Sequence, residues 1–113
     1  MLVAFSFQAK RGKESELESL LNNPESARAV AKAMGATRNT LFLKGGRMIR
    51  VLEFPEGARP VPFEEIAKRD PRVGEFVRKL GPLIEDGYDV DRQESLEAFN
   101  KRITFPLAFD VRP

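Results

Sequence analysis

The chain contains no cysteine, no histidine and no tryptophan, and only one tyrosine, Tyr88. Without cysteine there are no disulfides, no thiolate metal sites and no thiol nucleophile. Without histidine the commonest general base, the commonest nitrogen ligand for zinc and His-ligated haem are all removed. Any proton transfer falls to carboxylates, Arg, Lys, the tyrosine or the substrate itself, and neither a metal nor a cofactor is expected. No apolar run is long enough to cross a bilayer, and Met1-Leu2 leads straight into a strand pattern without a basic leader. The expectation is a cytoplasmic protein with no membrane partner. A dense basic run is missing too: nineteen Lys and Arg are interleaved with seventeen Asp and Glu, for a net charge of +2. Nucleic acid is therefore not an expected partner.

What remains is an ordinary globular composition. Hydrophobic residues make up 42% and charged residues 32% of 113 positions, enough to bury one core and too apolar for a disordered chain. A single domain over residues 1–113 is expected.

Val3, Phe5 and Phe7 alternate with smaller or polar residues, the period of a strand. Glu14–Asn22 carries Leu17, Leu20 and Leu21 at helical spacing, and Asn23-Pro24 interrupts it. A second helix places Ala27, Val30, Ala31 and Met34 on one face and stops at Gly35. Two strand-like runs follow, Arg38–Lys44 and Arg47–Phe54, joined by Gly45-Gly46, which can take the positive φ angles of a two-residue hairpin turn. The proline-rich stretch Pro55–Pro62 is a loop, and Phe63–Arg69 is a short helix. Asp70-Pro71 is an N-cap with proline in the first turn of a helix that buries Val73, Phe76, Val77 and Leu80 and ends at Gly81-Pro82. An acidic loop, Asp86–Asp91, precedes a short helix over Arg92–Asn100. Ile103, Phe105, Leu107, Phe109 and Val111 alternate as a final strand, in which Pro106 requires an edge position or a bulge.

The order β-α-β-β-α-β predicts an α+β, ferredoxin-like antiparallel sheet with helices on one face. Both sheet faces read as partly apolar. A homodimer with its sheets facing each other around a cavity is therefore expected, the second copy or a ligand covering the open face.

The two-residue turn fixes the hairpin register. One face pairs Lys44 with Arg47, Phe42 with Ile49, Thr40 with Val51 and Arg38 with Glu53, and its apolar middle suits packing under the helices. The other face pairs Leu43 with Met48, Leu41 with Arg50, Asn39 with Leu52 and Thr37 with Phe54. It sets Arg50 in an apolar row. An unpaired guanidinium there is costly, so it must reach solvent, a loop carboxylate or a ligand. The ligand reading makes this face a binding surface, with Asn39, Leu41, Met48, Leu52 and Phe54 around Arg50, and adds Arg38, at the end of the other face, should it reach the cavity.

The segment Thr40–Phe54, with Asp70-Pro71-Arg72-Val73, Leu80–Glu85 and Ser95–Phe99, resembles SchA/CurD-like proteins, which are encoded with aromatic polyketide synthases. The resemblance covers most of the chain after residue 36. The hairpin is more distantly similar to tetracenomycin-type polyketide cyclases and to cofactor-free antibiotic-biosynthesis monooxygenases, both dimeric α/β barrels. Those cyclases carry a histidine where this chain has Arg50, and His-Pro where it has Asp70-Pro71. Both departures remove an imidazole. The resemblance implies a cavity that folds a poly-β-ketone, with Arg50 stabilising enolate or alkoxide oxygens and Asp70 or Tyr88 exchanging protons. Against these roles stand a simple helix cap for Asp70 and a surface aromatic for Tyr88. Two alternatives share the cavity: cofactor-independent oxygenation of a phenolic or anthrone intermediate, and a non-catalytic accessory subunit of the synthase. The implied partners are a polyketide intermediate, a second copy of the chain, and an acyl carrier protein or other synthase subunits.

Overall fold

Gly45 and Gly46 take φ angles of 55° and 80°, in the left-handed region that only glycine enters at little cost. Around them the chain folds back on itself. In the computed structural model, which describes residues 1–113, strands β2 (Arg38–Lys44) and β3 (Arg47–Glu53) pair in the expected register, Leu41 opposite Arg50 and Asn39 opposite Leu52. Gly46 is needed for space as well. A Cβ there would lie 2.6 Å from the Glu14 side chain and 3.2 Å from Ala9 Cβ.

Strand β1 (Leu2–Gln8) lies antiparallel to β3, with Val3 opposite Leu52, Phe5 opposite Arg50 and Phe7 opposite Met48. The sheet runs β2-β3-β1-β4, where β4 is Thr104–Phe105. Five helices accompany it: α1 (Glu14–Leu21), α2 (Pro24–Met34), α3 (Phe63–Arg69), α4 (Pro71–Leu80) and α5 (Gln93–Ile103). This is the α+β, ferredoxin-like arrangement, a four-stranded antiparallel sheet with its helices on one face. None of the helices is long and apolar enough to cross a membrane.

The local signals explain most boundaries. Asn23 caps α2 by accepting from Ser26 N, Pro24 fills its first turn, and Gly35 ends it in the left-handed conformation. Asp70 caps α4 with Pro71 behind it. Gly74 sits where α4 crosses α3, and a Cβ would meet the Ala67 carbonyl at 2.8 Å. After Leu80 the chain makes one 3₁₀ turn, Gly81–Leu83, before the acidic loop.

Two expectations are corrected. The final strand is two residues long, not nine. Pro106 has no N–H to give to β1, so pairing stops at Phe105, and residues 106–113 run on exposed and without regular structure. The last helix takes in Ile103 instead. The sheet faces are also reversed. The helices cover the face of Met48, Leu52 and Phe54, which are 1–2% exposed. The face of Phe42 and Ile49, expected to lie under the helices, is open: these two are 57% and 42% exposed, and Phe105, on the same face across β1, is 57% exposed. The register of β1 decides this, because Val3, Phe5 and Phe7 extend the face of Met48 and Leu52, while Ala4 and Ser6 extend the other. Burying the larger apolar area outweighs the cost of taking Arg50 with it.

The core has two parts. Phe7, Leu17, Leu21, Met48, Leu80, Ile84 and Phe99 close one end of the sheet against α1, α4 and α5. Ile66, Val73, Val77 and Leu96 tie α3, α4 and α5 together. Between the sheet and this second cluster the packing opens into a cavity.

Candidate functional site

The cavity has a volume of about 620 Å³, within the range of small-molecule sites. Its floor is the sheet, through Val3, Phe5, Phe7, Asn39, Met48, Arg50, Leu52 and Phe54. Its walls come from α2 (Ala27, Val30, Met34), the loop Pro60–Pro62, α3 (Phe63, Glu64), α4 (Val73, Phe76, Leu80) and α5 (Leu96, Phe99, Asn100, Ile103). The lining is mostly apolar, so the few polar groups in it stand out. The facing-sheets picture put the cavity between two chains, whereas this cavity lies between the sheet and the helices of one chain.

Arg50 reaches the cavity because β1 and β3 align it with Phe5 on the floor. Its guanidinium donates to the Asn39 side-chain oxygen at 2.6 Å, and the Asn39 amide donates to the Ala27 carbonyl of α2 at 3.0 Å. The asparagine thus fixes the arginine to the helix above without neutralising it. None of the ion pairs of the structure includes Arg50. Burial pushes its pKa below the usual arginine range, yet a guanidinium stays charged. The result is a positive charge in apolar surroundings with donors to spare, a setting in which an oxyanion is bound strongly.

Asp70 lines the same cavity, but its carboxylate accepts from the backbone N–H of Arg72 at 2.9 Å and meets the Arg72 guanidinium at 3.4 Å. Those hydrogen bonds, the backbone one foremost, hold its pKa below the ordinary carboxylate value. It is an ionised helix cap, poorly suited to giving up a proton near neutrality. Tyr88 is half-buried rather than a surface aromatic. Its hydroxyl donates to the Val77 carbonyl at 2.6 Å, its ring stands edge-on to Phe99 with centroids 4.8 Å apart, and burial pushes its pKa far up. This fixes the acidic loop to the end of α4 and ties up the phenolic proton.

Of the other residues expected at the site, Asn39, Met48, Leu52 and Phe54 line the cavity with Arg50. Leu41 packs on the neighbouring core and is not part of the lining. Arg38 does not reach the cavity. It stands exposed on the open face of the sheet, opposite Glu53. Sequence reading passed over Glu64 and Asn100. The Asn100 amide donates to Glu64 Oε2 across the α3–α5 contact, and the Asn100 backbone carbonyl accepts from the Thr104 hydroxyl. A glutamate in the first turn of a short helix reads as a solvated dipole partner, and only the placement of α5 reveals its inward neighbour. No group of three or more Asp and Glu side chains is gathered in a way that would hold a metal ion.

The sequence pattern of the SchA/CurD-like domain matches residues 1–110. The match includes the first strand and helices, which by sequence alone resembled that family only in pattern. A search among curated proteins finds no match. Among solved structures, the chain is similar to an L-rhamnose mutarotase from Formosa agariphila, with a TM-score of 0.58 and 10% identity over 99% of each chain. At that identity the likeness is one of fold.

Proposed function

Because the chain belongs to the SchA/CurD-like domain family, we propose that it takes an aromatic polyketide intermediate into the cavity between sheet and helices and promotes ring closure there. The observation that carries this reading is Arg50, a charged guanidinium without a carboxylate partner on the floor of an apolar cavity. A poly-β-ketone or polyphenol suits such a site. Its carbon skeleton matches Val3, Phe5, Met48 and Leu52, and its enolate or phenolate oxygen matches the guanidinium. Holding the chain bent with reacting carbons close together lowers the barrier by several kcal/mol in similar settings. A free sugar fits poorly, since most of its hydroxyls would face carbon.

Cofactor-independent oxygenation is the second reading, and the same feature favours it. A cation that stabilises an anthrone or phenol anion also prepares that anion to react with oxygen. An accessory subunit that only holds the intermediate is the third. Reconstitution with a minimal polyketide synthase separates them. A changed pattern of cyclised products supports ring closure, oxygen uptake with an anthrone supports oxygenation, and an unchanged pattern with no uptake leaves only the accessory role.

We further propose that the open face of the sheet is covered by a second copy of the chain. Phe42 and Ile49 are exposed neighbours on β2 and β3, Phe105 is exposed on the same face on the far side of β1, and beyond it Leu107, Phe109 and Val111 are 58–79% exposed. Surfaces of this kind in folded proteins mark interaction sites.

A further inference from the structure

We propose that Glu64 is the proton-exchanging residue of the cavity, acting from the helical wall on a substrate whose oxygen is held by Arg50 on the sheet; this rests on the reading of the cavity as an enolate-stabilising site. Three carboxylates line the cavity, Glu25, Glu64 and Asp70. Asp70 is fixed as the cap of α4 by Arg72. Glu25 stands exposed in the first turn of α2. Glu64 alone is both half-buried and oriented by a neutral partner. Oε2 accepts from the Asn100 amide, no cation pairs with the carboxylate, and Oε1 has no hydrogen-bond partner within the protein. A neutral donor aims a carboxylate without removing its charge, which is what a general base requires.

The chemistry balances without an oxidant or cofactor. A C–H bond between two carbonyl groups breaks, and its proton passes to Glu64 Oε1. The electron pair moves onto a carbonyl oxygen, giving an enolate that Arg50 stabilises. The enolate carbon then bonds to a second carbonyl carbon in the same chain, whose oxygen becomes an alkoxide. Glu64 returns the proton to that alkoxide, leaving a β-hydroxy ketone and a carboxylate ready for another cycle. The substrate class is therefore one with an acidic C–H between carbonyls, or its vinylogous equivalent in an anthrone.

The test uses anthrone as the probe, under anaerobic conditions in deuterated buffer, with binding followed by calorimetry and exchange of the methylene protons by NMR. The wild-type protein is expected to bind anthrone and to accelerate exchange. Glu64→Gln is expected to bind within about threefold of wild type while exchanging about a hundredfold more slowly. Glu64→Asp is expected to bind equally and exchange about tenfold more slowly, and serves if the glutamine variant does not fold. A folded Glu64 variant that exchanges at the wild-type rate overturns the role of Glu64 and leaves the cavity reading standing. A wild type that binds anthrone without accelerating exchange also overturns that role. A wild type that does not bind anthrone overturns both.

Discussion

The Arg50 guanidinium and the Asn39 side-chain oxygen are 2.6 Å apart, one diagonal step across the hairpin that Gly45-Gly46 sets in register. That contact sets how the charge is held. It positions a charge within the cavity and leaves the charge uncompensated, because the partner is an amide whose own N–H is bound to the Ala27 carbonyl.

Replacing the amide with a carboxylate separates positioning from compensation. In Asn39→Asp the arginine keeps its partner but loses its free charge. Affinity for the anion of a dihydroxyanthrone is expected to fall at least about tenfold, the worth of a charge-assisted hydrogen bond. The melting temperature is expected to move little, since the new ion pair offsets the lost donor to Ala27. Calorimetric titration and thermal denaturation of the same preparation check both.

Asp70 is expected to matter for stability and not for chemistry. Asp70→Ala removes the cap of α4 and lowers the melting temperature, whereas Asp70→Asn caps as well as aspartate and restores it. The acid limb distinguishes the two carboxyl states. Because the pKa of Asp70 is lower folded than unfolded, its contribution is complete above the ordinary carboxylate value of 3.8 and is lost as the pH falls through the lower folded value. The asparagine variant is expected to lack that part of the acid dependence in melts recorded between neutral and strongly acidic pH.

Tyr88→Phe removes the hydroxyl that holds the Val77 carbonyl. A cost of about 1 kcal/mol in stability is expected, with anthrone binding and exchange unchanged. A large loss of exchange in a variant that stays folded would return Tyr88 to the chemistry.

The open face is tested at Phe42. Sedimentation is expected to find a dimer at micromolar concentration for the wild type and a monomer for Phe42→Glu, because a charge within an apolar interface is costly to bury. A wild-type monomer at that concentration removes the second copy from the open face.

Much of the fold was legible because its signals are local. Gly45-Gly46 set a register, Asn23-Pro24 and Asp70-Pro71 began helices, and the hairpin alone singled out Arg50. The errors arose where the outcome depended on distant pairing. On the hairpin alone the face of Phe42 and Ile49 suits packing under the helices, but β1 lays Val3, Phe5 and Phe7 alongside Met48 and Leu52 and turns the face of that second pair to the helices instead. The alternation from Ile103 to Val111 had the period of a strand, yet Pro106 ended its pairing. At the site, Arg50 and Asn39 are neighbours on one hairpin and were found together, whereas Glu64 and Asn100 are 36 residues apart and meet only because α3 and α5 pack.

The most direct measurement is a calorimetric titration of a dihydroxyanthrone into wild-type protein and Arg50→Met, at a pH where the ligand is anionic. Methionine fills the same apolar row and removes the charge together with the hydrogen bond to Asn39, so the variant is expected to stay folded, the relief of burying a charge offsetting the lost bond, and to bind at least about tenfold more weakly. Equal affinity in a folded Arg50→Met would contradict the central claim that the unpaired guanidinium on the cavity floor is what recognises the ligand.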